Sequence, residues 1–134
     1  MILVDTSALV DYLRGNENDT SRAFDRIIER GIPFGINHFI YLETLQGCRS
    51  EKDFNTLKKY LDTQVFYGLK SGRESYAEAG RMHLTLRQKG VSVSSTMDCL
   101  IAVTAIENEL FLLHNDADYD RIAEHFPLKI WDVR

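Results

Sequence analysis

Four acids stand out by where they fall in the chain. Asp5 ends the apolar run 1–4, and Asp116 comes two residues after the apolar run 110–114. Glu43 sits among Phe39, Ile40, Leu42 and Leu45, and Asp98 among Met97, Cys99, Leu100 and Ile101. Each has an ordinary explanation when taken alone. Asp is common at helix caps and turns, and Ser95-Thr96-Met97-Asp98 has the spacing of a capping box. Glu43 fits the solvent face of an amphipathic helix. Together, two acids at strand ends and two on helix faces can all point at one crevice. Converging carboxylates repel unless a cation lies among them. Mg²⁺ or Mn²⁺ is the natural candidate, because hard ions take oxygen ligands and retain water. Such a centre activates a water and stabilises the attacking and leaving oxygens of phosphodiester hydrolysis.

The elements that must position these acids follow from the pattern of apolar residues. A short β-branched-rich run at 1–4 and short apolar runs at 33–37, 65–67, 110–114 and 128–131 read as strands. Between them lie helical stripes: Ala8, Leu9, Tyr12 and Leu13; Ala23, Phe24, Ile27 and Ile28 over 19–30; and residues 38–48. A capping-box spacing at Ser50–Asp53 opens the next helix, with Phe54, Leu57 and Leu61 on its face. A long amphipathic helix spans about 72–89, the most apolar helix starts at Ser94-Ser95-Thr96, and a short one runs 118–125. Strands alternating with helices imply a parallel sheet covered on both faces. Ligands of such sheets bind outside the carboxyl ends of the strands, where Asp5, Asn115 and Asp116 fall.

Composition bounds the remaining possibilities. The 134 residues fit one domain, residues 1–134, and 44% of them are hydrophobic, too many for disorder. The longest useful apolar run, 99–106, is far short of a membrane span, and the N-terminus lacks the basic lead of a signal peptide, so a cytoplasmic protein is expected. Cys48 and Cys99 match no metal spacing and read as buried free thiols. The net charge of −4 gives no bulk attraction to nucleic acid. Four acids neutralised around a metal would leave the remaining charges balanced.

The segments 2–11, the mid-chain Glu43, Met97-Asp98-Cys99-Leu100-Ile101-Ala102 and Leu112-Leu113-His114-Asn115-Asp116-Ala117-Asp118-Tyr119 together resemble the PIN domain, and more narrowly the VapC ribonuclease toxins of toxin–antitoxin pairs. The resemblance runs in order over essentially the whole chain. It implies a three-layer α/β/α sandwich with a central, mainly parallel sheet. It also implies a Mg²⁺-dependent endoribonuclease (Mn²⁺ able to substitute) that leaves 5′-phosphate and 3′-hydroxyl ends, is held off by a cognate antitoxin, and forms a homodimer. The family's acidic quartet falls on Asp5, Glu43, Asp98 and Asp116. Asp118 matches a frequent extra acid, and Thr6 or Ser7 a hydroxyl close to the metal. His114 departs from the family's usual Ser or Thr at that place and reads as a packing residue.

Three further readings concern surfaces. The apolar residues of 19–30 and 50–60 are expected to form the subunit interface. Arg73, Arg81, Arg87 and Lys89 read as a solvated helix face, and Tyr12, Phe39, Tyr41 and Trp131 as packing residues. Two alternatives to an enzyme stand: a catalytically inactive PIN-fold binding module, and a receiver-type phosphoacceptor. The second lacks the adjacent acid pair after the first strand. A dehalogenase-like phosphatase would need an acid where Ser7 stands.

Overall fold

The computed structural model describes residues 1–93 and 95–134. Their elements are β1 (Ile2–Val4), α1 (Thr6–Leu13), α2 (Asp19–Glu29), β2 (Phe34–Gly35), α3 (His38–Gln46), α4 (Glu51–Leu61), α5 (Arg73–Gln88), α6 (Thr96–Glu107), β3 (Phe111–Leu113), α7 (Ala117–His125) and β4 (Lys129–Ile130). The strands form one parallel sheet in the order β2-β1-β3-β4. The expected helix start at Ser94 lies outside the described residues.

Local chemistry sets most helix boundaries. Asn18, Asn37, Ser50 and Ser95 cap α2, α3, α4 and α6 by accepting a backbone N–H of the first turn. Asp5 caps α1 and Asp116 caps α7 in the same way. α6 is apolar around most of its circumference and is buried accordingly, from Cys99 through Ala105 with Leu100 half-buried. It packs against α3, α5 and α7, while α1 lies between α2 and α3.

β1 and β3 are in register from Ile2 opposite Phe111 to Val4 opposite Leu113. The Asp5 amide continues the ladder, donating to the Leu113 carbonyl at 2.9 Å. The two central strands therefore end side by side, and whatever follows each of them emerges at the same edge.

Several expectations need correction. The expected strand at 65–67 is a single bridge, Ile36 to Phe66, beside β2. The segment crosses β2 closely: a Cβ on Gly35 would lie 2.4 Å from the Val65 carbonyl oxygen. Cys99 is buried but Cys48 is only half-buried, because it falls just past the end of α3; both are free thiols. Trp131 is half-buried at the edge strand, its ring edge-on to Phe111 at 5.6 Å. Ala23, Phe24 and Ile27 of α2 are buried in the chain's own core, so they are not surplus surface for a second subunit. Ile28 of α2 stays exposed, as do Leu42 of α3 and Tyr76 and Leu84 of α5. The expectations for Tyr12 and Tyr41 hold: Tyr12 packs on Phe24 at 4.7 Å and Tyr41 on Phe66 at 5.6 Å.

Candidate metal centre

Asp5 leaves β1 and turns the chain into α1. Its Oδ2 accepts the Ser7 amide at 3.0 Å and the Ser7 hydroxyl at 2.6 Å. Its Oδ1 accepts the Tyr119 hydroxyl at 2.7 Å. Ser7 Oγ in turn accepts the Asn115 amide at 2.9 Å, which ties the end of β1 to the end of β3. The Ser7 proton is thus committed to Asp5, and Ser7 works as a clamp between the two strand ends.

Asp116 sits at that second strand end. Its carboxylate caps α7 through the Asp118 amide at 3.0 Å. Its own amide donates to His114 Nδ1 at 3.0 Å, so the His114 proton belongs on Nε2, 3.2 Å from Asp120 Oδ1. His114 is buried with its ring against Tyr119 at 5.2 Å. It orients the turn that presents Asp116, in line with the packing role read from the sequence.

Glu43 reaches the same crevice from α3. It is half-buried, and Thr6 of α1 donates to its Oε1 at 3.1 Å. Asp98 comes from the first turn of α6 and is 8% exposed. Its Oδ1 lies 3.3 Å from the Tyr119 hydroxyl. Asp5, Glu43, Asp98 and Asp116 all line one crevice of about 400 Å³, together with Thr6, Ser7, Val10, Asp11 and Asn115. Carboxylate oxygens of Asp98, Asp116 and Asp118 can also meet within 4.8 Å of one another. Asp118 is buried and pairs with the Arg121 guanidinium.

The electrostatics follow from this crowding. Burial pushes the Asp98 carboxyl up to about 7, with Asp116 and Asp5 adding repulsion. Burial also raises Glu43, against the Thr6 hydrogen bond, with Asp5 and Asp116 again repelling. No Lys or Arg is among the described residues lining the crevice. A set of oxygen donors this crowded and uncompensated suits a hard divalent cation. Asp5, Glu43, Asp98 and Asp116 are the residues that would hold it, with Asp118 adjoining.

Two contributors escaped the sequence reading. Tyr119 is wholly buried with its hydroxyl between Asp5 and Asp98. A Tyr on the inward face of a short helix must bury its hydroxyl, and a buried hydroxyl needs a partner; that was the available signal. Asp11 is held by the side-chain amides of Asn115 at 2.6 Å, Asn18 at 3.0 Å and Asn16 at 3.1 Å. Those bonds, Asn115 foremost, hold its carboxyl below the ordinary range. Nothing in the spacing of residues 11, 16, 18 and 115 shows in advance that they meet.

Fold and crevice define a class: a small parallel α/β domain with an acidic centre at the carboxyl ends of its central strands. The family model described as "PIN domain" matches residues 2–125. Ribonuclease VapC11 of Mycobacterium tuberculosis is 32% identical over 124 residues, covering 92% of each chain. VapC ribonuclease Mb1587 of Mycobacterium bovis matches equally. Among solved structures, VapBC2 from Rickettsia felis, bound to a DNA fragment from their promoter, superposes with a TM-score of 0.72 at 20% identity, covering 98% of this chain and 100% of that one. VapBC-1 from nontypeable Haemophilus influenzae does so with a TM-score of 0.72 at 21% identity, covering 99% and 98%. The chain belongs to the PIN-domain family, alongside the VapC ribonucleases. That membership sets the receiver and phosphatase alternatives aside.

Proposed function

We propose that the chain is a divalent-metal-dependent endoribonuclease, the toxin of a toxin–antitoxin pair. The observation that carries the reading is the convergence of Asp5, Glu43, Asp98 and Asp116 on one crevice without a compensating cation. A bound Mg²⁺ or Mn²⁺ would supply Lewis-acid stabilisation of the phosphodiester and an acidified water. The chain's own residues do the rest. Ser7 and Tyr119 fix both oxygens of Asp5. Thr6 occupies Glu43 Oε1, which leaves Oε2 for a cation, or for the proton of the attacking water. With water as the nucleophile the 2′-hydroxyl takes no part, and departure of the 3′ oxygen would leave 5′-phosphate and 3′-hydroxyl ends. An RNA with a 2′-deoxy nucleotide on the 5′ side of the scissile phosphate should be cut like its parent with Mg²⁺, and neither should be cut with a chelator. Loss of cleavage on the 2′-deoxy RNA would overturn this mechanism.

The partner reading follows from the same charges. An antitoxin would place an Arg or Lys among the four acids, since a guanidinium bridges carboxylates and is always charged. An apolar stretch of it would lie along α3 at Phe39 and Leu42. Calorimetric titration of the antitoxin segment should then give weaker binding in excess Mg²⁺; equal affinities would mean that it covers the crevice without filling it. Such a pair acts where its RNA is, in the cytoplasm; among the described residues no helix is long and apolar enough to cross a membrane.

A further inference from the structure

A second concavity opens directly off the acidic crevice and shares Val10 and Glu43 with it. It runs between α1, the end of α3 and α4, with a volume of about 530 Å³, in the range of small-ligand sites. Its walls are mostly apolar, with Leu13 from α1 and Leu57 and Tyr60 from α4. Arg14 and Arg49, both exposed, stand on its lining, and neither forms an ion pair among the described residues. Glu43 and Asp53 are its acids.

A polyanionic substrate cannot be held by a crevice of acids alone. It needs cations beside the metal centre to take the flanking phosphates. The acidic crevice has no Lys or Arg on its described lining, and the adjoining groove brings two. Unpaired RNA bases bind by stacking on aromatic and apolar side chains, which Tyr60, Leu57 and Leu13 provide next to those cations. We propose that this groove is a nucleotide subsite. It takes the unpaired base flanking the scissile phosphate against Leu13, Leu57 and Tyr60, with the adjacent phosphates on Arg14 and Arg49. The assignment rests on the ribonuclease reading above. It adds that the enzyme selects a single-stranded position with a base to offer, on one side of the cut.

The test uses the full chain with Mg²⁺ and a cleaved RNA whose cut site has been mapped. Two derivatives carry an abasic nucleotide, one on each side of the cut. One of them should lose about tenfold in kcat/KM, mainly through KM, the size of one lost base stack. Tyr60→Leu should lose a similar factor on the intact RNA and no longer distinguish it from that abasic derivative. Arg49→Ala should raise KM and reduce the salt dependence of binding by roughly one phosphate contact; it lies on the surface and carries the test if Tyr60→Leu misfolds. Cleavage that ignores both missing bases, or variants that cut all three RNAs like the parent, would overturn the subsite alone. Unaltered RNA discrimination with weakened binding of the antitoxin segment would give the groove to a protein partner and also overturn it. Failure of the parent chain to cut any RNA with Mg²⁺ would overturn the nuclease reading, and the subsite with it.

Discussion

Asp98 is the acid whose charge is most costly to the fold and most useful to a cation. Its carboxyl titrates near 7 in the folded chain, far above an ordinary Asp. The folded state therefore holds a proton that the unfolded state has released, and stability falls as pH rises from about 4 to about 7, on the order of a few kcal/mol. In a chelator, the parent chain should melt higher at pH 5 than at pH 8. Asp98→Asn should flatten that slope, melt higher than the parent at pH 8, and abolish metal-dependent cleavage; parental activity in this variant would refute the quartet. Tyr119→Phe removes only the oxygen between Asp5 and Asp98. It should cost about 1 kcal/mol of stability. The Tyr119 hydrogen bond holds Asp98 down, so its loss should move half-maximal Mn²⁺ binding to higher pH; titrations at pH 6.5 and pH 8 would show it. At this scale the convergence of the four acids on one crevice was legible because two of them follow apolar strand runs and two interrupt apolar helix faces. Tyr119 and Asp11 were not, because their partners are set by how α7 and α1 pack.

Helix starts were the most legible elements, since a cap is a bond between near neighbours: the capping-box spacing of Ser50 and Asp53 was read from the chain alone, and the Asp53 amide does donate to Ser50. Strands of two or three residues were read too long, because pairing with distant partners decides where they stop. The link between α3 and α6, the helices carrying Glu43 and Asp98, was invisible for the same reason. Asn37 accepts the Ile40 amide at 2.8 Å and donates to Thr104 Oγ1 at 3.1 Å, all of it buried. Asn37→Ala removes the cap and the bond that the Thr104 hydroxyl accepts, leaving that hydroxyl its donation to the Leu100 carbonyl at 2.8 Å. A loss of about 2 kcal/mol is expected, lowering the melting temperature by roughly 5–10 °C. The metal affinity should also fall, because Glu43 and Asp98 lose a shared anchor. A calorimetric scan with and without Mn²⁺ would separate the two effects.

For the molecule as a whole, the alternation of strands and helices gave the architecture, and the hydrophobic count gave the core. The surface was harder to read. Of the α2 stripe, Ala23, Phe24 and Ile27 prove to be core while Ile28 is exposed, because a helix stripe alone does not say how much of it the chain itself covers. If the chain is a homodimer, the exposed apolar residues of α5, Tyr76 and Leu84, offer a contact clear of the α3 face given to the antitoxin. Tyr76→Glu combined with Leu84→Glu should then shift the mass in light scattering from twice the 15.4 kDa chain to a single chain. The corresponding pair Ile28→Glu and Phe54→Glu should leave the mass unchanged.

Asp5 and Asp116 each serve two masters, since the carboxylate that faces the crevice also starts a helix. Glu43 and Asp98 carry no such duty. The four acids are therefore unequal as routes to a harmless protein. A lineage that must shed the activity while keeping the folded surface its partner grips would pass most easily through Glu43 or Asp98. Changes at Asp5 or Asp116 would tend to remove the whole chain from the cell along with its chemistry.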